Sequence, residues 1–552
     1  MRKCTGRLPL AVLFSIPILV ALWVWLSPLS FIPVPWPDDS AFYFVAKSLF
    51  SWPPRWVMLA QAPFEPTYRI FNFNTMPLYP VLIGLGRFVG IDGSFLLKLW
   101  PLGAWALTGS YFATLLYRRG LSFGLCLIWA LAFSLDPELR WASVLIRPES
   151  LIGFIGIVLV SGLTLGFPKR LAPSRFWDPV ALLLALGAYA HFNAIHLVFP
   201  VIFAFALASQ PKRLLQIGAK TSLYLAPWIF SVLLHWDIFK IQMGIQWTRL
   251  DVANPWLSTP YQAISSLFQN LGSPEAWPGV AAWASVGMWL LIISAFIASI
   301  LSLQCFVKFP GKLPGNSAMR DWKSEISILP ALGWILGAGW IWHSKPEVWF
   351  VYYLHVATWF FTGIVALKFW KSKSRLRSPA LAWLFSITGI TAAIFLYVDL
   401  NQAIRLGKTE SWHWSTYSDF VDCIDQKLTE LHKKKGLNRS FQVWGPTPPD
   451  VTIELSRKHP TWELTRTNDF WSRRHLAVQH GRDVDAVVVT EIFQTLERTI
   501  SANALDVPHV QSAWMQWRPY FLNTLGSIQG WKPKRYVCQR GRWQAFLFMN
   551  EY

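Results

Sequence analysis

LPLAVLFSIPILVALWVWLSPLSFIPVPWPDDSAFYFVAKSLF, residues 8–50, decides how the rest of the chain is read. Its first part, residues 8–32, is an apolar run long enough to cross a bilayer as a helix, which takes roughly 20 residues. A cleaved signal would carry a shorter h-region, about 7–15 residues, followed by a small-x-small site. SPLSFIPVPW has no such site, which favours a retained anchor. The run is followed by two adjacent carboxylates, Asp38 and Asp39, just beyond the membrane.

The composition of the whole chain agrees with that opening. Its 552 residues are 53% hydrophobic and only 14% charged, with 34 Trp, which excludes an ordinary soluble globular protein. Further apolar runs of spanning length lie at 95–117, 214–235, 277–307, 347–370 and 379–398. The net charge of +20 does not call for nucleic acid, because the basic residues gather in particular loops. The N-terminus (Arg2, Lys3, Arg7), Arg118–Arg119, 169–175, 212–213, 308–325 and 368–377 hold a large excess of Lys and Arg, while the alternate loops are near balance. That is the positive-inside pattern. It holds if LYPVLIGLGRFVG (78–90), too short to span and interrupted by Arg87, lies on the outer leaflet as an interfacial helix. It also needs 179–209 to make two short passes meeting at AHFNAIH. The expected fold is an α-helical polytopic membrane protein of about eleven spans, with the N-terminus cytoplasmic and the C-terminus outside.

The tail is a separate expectation: a membrane domain over 1–398 and a small extracytoplasmic α/β domain over 399–552. RDVDAVVVTEIF (482–493) reads as a buried strand after an acidic turn, DFVDCIDQKLTELHKKK (419–435) as a helix, and WGPTPPD (444–450) as a turn. Cys423 and Cys538 both fall in this tail, where disulfides are permitted, and are candidates to pair. The tail contains no catalytic or metal motif and no Gly-rich phosphate loop.

The carboxylates admit two readings that can hold together. Pro37, Asp38 and Asp39 suit a helix start, with Phe42, Val45, Ala46 and Leu49 as the apolar stripe of an interfacial helix. Alternatively, one of them faces a cavity at the membrane surface and acts as a base.

PDDSAFYFVAKSLF (37–50), then FNFNTMPLYPVLIGLG (71–86), then a span ending LLYRRG (115–120) resemble, in order and spacing, the opening of bacterial membrane glycosyltransferases of the GT-C superfamily. The similarity is to the protein-mannosyltransferase and aminoarabinose-transferase-like group. It extends through DPELRWASVLIRPESL (136–151) to AHFNAIH (190–196). Relatives in this group carry an acidic pair in the first outer loop. Many also carry a Lys or His before the proline of the interfacial helix, where this chain has Met76. A cationic or metal-binding role at that position is therefore not carried over.

The resemblance implies a sugar linked to polyprenyl phosphate as donor and a hydroxyl or amine of a glycan, lipid or protein as acceptor, at the outer face of the membrane. Phosphate leaves without protonation if a cation offsets its charge, and a weak acceptor gains from a carboxylate that takes its proton. Asp38 and Asp39 are the catalytic candidates, Asp38 aligning with the first acid of the family pair. Arg147 is the first candidate for the donor phosphate, its alternative being an internal ion pair with Glu149 or Glu138; Arg69 is the second. Tyr43, Glu149, His191 and Asn193 are candidates for the substrate cavity, although His191 equally suits a structural cap of its turn. Lys47 reads as a solvated position. His235, His343 and His355 lack metal-ligand spacing, and Trp23, Trp25, Trp228 and Trp342 suit an interfacial belt. The sequence names no cofactor; an acidic site beside a phosphate suits Mg²⁺ or Ca²⁺ without requiring either. The competing classes are a transporter or flippase of a lipid-linked sugar, which would show charged or broken helices in matching halves, and a non-enzymatic membrane protein whose outer domain binds a partner.

Overall fold

The computed structural model describes residues 7–31, 39–59, 66–168, 173–174, 177–205, 210–248, 328–344, 351–371, 377–407, 414–436, 440–445, 449–466, 484–490, 533–541 and 543–550. Most of the membrane-type sequence is helical. α1 (Arg7–Leu26) is followed by α2 (Asp39–Leu49), α3 (Leu78–Phe88), the single turn α4 (Ser94–Leu97), α5 (Leu99–Arg118) and α6 (Phe123–Ser134). Next come α7 (Pro137–Ser143), α8 (Glu149–Leu165), α9 (Pro179–Ala190), α10 (Val198–Phe205), α11 (Pro211–Tyr224), α12 (Ala226–Leu234) and α13 (Trp236–Thr248). α14 (Leu329–Ser344), α15 (Val351–Lys371) and α16 (Arg377–Gly407) are the last bundle helices among the described residues.

Among the described residues, α1 and the Leu381–Asn401 part of α16 are long and apolar enough to cross a bilayer. A third candidate arises if α11 and α12 count as one bent span. The expected run 277–307 lies outside the described residues. The run 214–235, expected as one span, is two helices meeting at 60°. Pro227 sits in the first turn of α12. Its ring has no N–H to give and clashes with the carbonyl four residues back, so the helix cannot continue straight through it.

The segment 136–149, rich in charged residues, is folded into the bundle. α7 packs against α5, α6, α8, α15 and α16, and residues 132–140 and 142–150 are all buried. Large aromatics fill the core beside it. The Trp129 ring stacks on Phe133 at 5.2 Å and its Nε1 donates to the Trp359 carbonyl at 2.9 Å. Gly153 on α8 lets the Tyr352 ring approach, since a Cβ there would stand 2.6 Å from it. Polar contacts join segments that charge asymmetry assigns to one side. Arg119 reaches the Gly166 carbonyl at 3.4 Å, and Arg213 meets Asp178, the cap of α9, at 2.7 Å.

Among the described residues the C-terminal unit has a five-stranded sheet in the order β2-β1-β3-β5-β4 and two helices. Its elements are α17 (Trp414–Lys435), β1 (Gln442–Gly445), α18 (Pro449–Lys458), β2 (Glu463–Arg466), β3 (Ala486–Thr490), β4 (Pro533–Arg540) and β5 (Trp543–Asn550). β1 pairs in parallel with β2 and β3, and β5 runs antiparallel to β3 and β4. The AVVVT run of β3 is central in the sheet, where an unbroken β-branched sequence fits a strand covered on both faces. β5 alternates, burying Trp543, Ala545, Leu547 and Met549. Cys423 on α17 and Cys538 on β4 form a disulfide, their Cα atoms 5.8 Å apart.

Candidate functional site

α2 is the first element of the candidate site. Asp39 is its first residue, and Asp38 lies outside the described residues. The sequence pattern suggested a helix with one apolar stripe, yet residues 40–46 are buried all round. The helix is covered rather than laid on a surface: it packs against α3 and against α18 of the C-terminal unit. Phe42 meets Tyr79 of α3 edge to face at 5.3 Å. α3 comes close because Gly84 has no Cβ, which would overlap the Phe50 ring. Tyr43 is fully buried beneath the Arg87 guanidinium, 5.4 Å from its ring centre, and its hydroxyl has no hydrogen-bond partner among the described residues. Burial, with the Asp92 carboxylate nearby, pushes the Tyr43 phenol well above its usual range, and Arg87 offsets this in part. Arg87 pairs with Asp92 at 3.5 Å. Met76 is buried.

The loop after α2 is held by a residue the sequence did not mark. Gln242 on α13 is fully buried. Its Oε1 accepts from the Phe73 amide at 2.7 Å, and its Nε2 donates to the Phe71 carbonyl at 2.8 Å and to Thr67 Oγ1 at 3.2 Å. Phe71 and Phe73 pack on Trp228, with His235 stacked on Phe71 at 5.1 Å. Trp228 therefore fastens this loop. Trp25 likewise stacks on Phe95 at 4.5 Å and donates to its carbonyl. Arg69 ends a short 3-10 turn in the same loop and is exposed.

A second polar group sits at α7 and the start of α8. Asp136 caps α7: one carboxylate oxygen accepts from the Glu138 and Leu139 amides, the other from Trp359 Nε1 at 2.8 Å and His355 Nδ1 at 2.9 Å. Arg140 pairs with Asp399 at 3.0 Å, both side chains 2% exposed or less. Arg147 pairs with Glu149 through Nε at 3.1 Å and Nη2 at 3.0 Å. This is the internal ion pair that sequence offered as the alternative to a phosphate contact. Tyr353 of α15 faces Arg147, Glu149 and Asn193 and packs on His196, with ring centres 4.5 Å apart. His191 caps the turn between α9 and the 3-10 segment 192–197, its Nδ1 accepting from the Asn193 amide at 3.1 Å. The structure thus brings Arg147, Glu149 and Asn193 into one buried neighbourhood and gives His191 a capping contact beside it. Among the described residues no group of three His, Cys, Asp or Glu side chains is placed to hold a metal ion.

Two solved structures align with nearly the whole chain. Crystal structures of ArnT from Cupriavidus metallidurans, one bound to undecaprenyl phosphate and one in the apo state, each match over 97% of this chain and 97% of their own. The TM-scores are 0.46 and 0.41, with sequence identities of 11% and 13%. No family model and no curated protein matches the sequence.

Three features of the site carried no local signal. Asp399 marks, in the sequence, the point where a hydrophobic run ends, and its partner Arg140 is 259 positions away. His355 and Asp136 are 219 apart. Lys47, expected to be solvated, is half-buried and bonded to the C-terminal unit.

Proposed function

We propose that the chain is a membrane glycosyltransferase that moves a sugar from a polyprenyl-phosphate donor to a hydroxyl or amine acceptor at the outer face of the membrane. The observation that carries the reading is the ordered set PDDSAFYF, FNFNTMPLYP, LLYRRG and DPELRWASVLIRPESL, which resembles the GT-C group. The burial of charged residues at α7 and α8 supports it, because ionisable groups among apolar helices are costly and mark functional paths. In the proposed reaction the acceptor oxygen or nitrogen attacks the anomeric carbon as the bond to phosphate breaks. The proton passes to Asp38 or Asp39, and polyprenyl phosphate leaves. Carboxylate assistance of this kind is worth about 10²–10⁴-fold, and a cation offsets the charge left on the phosphate.

Arg147 serves that purpose if it exchanges Glu149, which it holds through the single oxygen Oε1, for the phosphate. Arg147→Ala is expected to lower donor use far more than Arg147→Lys, measured as transfer from extracted polyprenyl-phosphate sugars. Full activity in both folded variants would leave the ion pair with Glu149 as the only role of Arg147.

The bent pair α11–α12 favours a second reading, a flippase of a lipid-linked sugar, since broken helices line transport paths. Vesicles reconstituted with the protein separate the two: transfer makes a new glycoside, and flipping moves the donor unchanged.

A further inference from the structure

The outer side of α2 is closed by the C-terminal unit through a set of directed contacts. Lys47 Nζ, on the second turn after Asp39, donates to Ser456 Oγ at 2.8 Å and to the carbonyls of Ser456 and Pro460, each at 3.4 Å. Burial and the neighbouring Arg87 push the Lys47 amine below its ordinary range, with Asp92 acting the other way. Two residues earlier on α18, Glu454 Oε1 accepts from the Ser94 amide at 2.7 Å. Gly93, at φ +89°, leaves room for it: a Cβ there would stand 2.8 Å from that oxygen. The same short helix therefore touches both α2 and the turn that leads into α5.

α18 is itself held from behind. Lys458 bonds Asp422 and Asp425 of α17, the latter at 3.1 Å, and His459 bonds Asp425. α17 is tied to β4 by the Cys423–Cys538 disulfide. The contacts run from a cross-linked sheet, through two helices, to the segment that begins with Asp39.

We propose that the C-terminal unit positions α2 for the transfer reaction, with Lys47 as the positioning residue and Ser456 as its seat. The inference rests on the reading that Asp38 or Asp39 is the base. It adds that their placement depends on a partner more than 400 positions away in sequence. A reacting carboxylate must be held within about 0.5 Å of its productive place, and a misplacement of about 1 Å costs on the order of 100-fold. A helix gripped two turns from its first residue is held against rocking. Lys47 is bonded to the protein and is not assigned to either substrate.

The test uses the full chain in lipid nanodiscs, with the pool of polyprenyl-phosphate sugars extracted from membranes of cells lacking the protein as donor. Lys47→Met keeps the stem and removes the donor group; Ser456→Ala removes the seat; Lys47→Arg keeps the charge; Lys427→Ala, at an exposed pair on α17, is the control. Lys47→Met and Ser456→Ala should each lower kcat about tenfold with little change in KM for the donor pool. Their effects should fail to add in the double variant, and Lys47→Arg should recover part of the loss. Amide hydrogen exchange over 39–49 should quicken in the first two and stay unchanged in the control. Unchanged exchange and unchanged kcat in both would overturn the joint. Faster exchange with normal kcat would overturn the positioning role. An unmodified chain that makes no glycoside would overturn the transfer reading, and the positioning role with it; that result is recognisable because exchange over α2 still responds to the variants.

Discussion

The charges of the bundle and those of the C-terminal unit do the same work in opposite settings. In the bundle, Arg140–Asp399 and Arg147–Glu149 are almost sealed from solvent, with side-chain exposures of 5% or less. In the C-terminal unit, Lys458 sits between Asp422 and Asp425 with roughly a quarter of its side chain exposed, and a disulfide lies close by. A sealed pair cannot trade its partner for water, so losing one member leaves a charge with no compensation. A half-exposed pair is screened, contributes little by itself and is readily titrated. The bundle therefore fixes α7 by electrostatic necessity, and the C-terminal unit fixes α18 by covalent closure with ion pairs as trim.

The largest effect should come from breaking that necessity. Arg140→Ala strands Asp399 and should cost about 3–5 kcal/mol, seen as lost folded yield and a lower Tm in detergent. Replacing the pair by Met and Leu together should restore most of that loss. If the single and double replacements behaved alike, the pair would not be an isolated electrostatic unit.

Next is the cross-link. Cys423 and Cys538 enclose 115 positions, and opening such a loop typically costs about 2–4 kcal/mol. Reduction should speed proteolysis and amide exchange in the sheet and in α17 while leaving α5 and α15 protected. Uniform loosening of both parts would erase the contrast between them.

Smallest is the pH response of the half-exposed cluster. Burial raises Asp425, but hydrogen bonds from His459 and Lys458, with the Lys458 charge, outweigh it and hold the carboxyl below its ordinary 3.8. Its stabilising contribution is present above that value and fades as pH falls through the depressed one. Lys458 is raised above 10.5 by Asp422 and Asp425 against the cost of burial. Its contribution is complete below 10.5 and fades as pH rises through the higher value. The docking of α18 on α17 should thus weaken as pH falls below 3.8 and as it rises above 10.5, measured by amide exchange in α18. In Asp425→Asn the acid limb should disappear.

Local pattern explains which features could be read from sequence. The helix over 99–118, the break at AHFNAIH and the central strand AVVVT follow from runs whose period or composition is complete within a few residues. His191 capping its own turn belongs to the same class, since donor and acceptor are two positions apart. The burial of 136–149 does not. The stretch with Asp136, Glu138, Arg140, Arg147 and Glu149 does not show its own burial, because Asp399 and His355, which pair with it, come from distant helices. α2 follows the same logic. Its stripe is real, but α18 covers the other face, and nothing within 39–49 announces that partner. The 60° bend at 225 could have been anticipated from Pro227 inside an otherwise spanning run.

The central claim is that a carboxylate at the start of α2 takes the acceptor's proton. Turnover per folded molecule in Asp38→Asn and Asp39→Asn tests it most directly, because Asn keeps the size and much of the helix-starting ability and cannot accept the proton. The account predicts a fall of about 100-fold or more in at least one variant, with insertion and folding intact. Loss of a helix cap alone would cost about 0.5–2 kcal/mol of stability and reduce yield without changing turnover. Near-normal turnover in both well-folded variants would contradict the account.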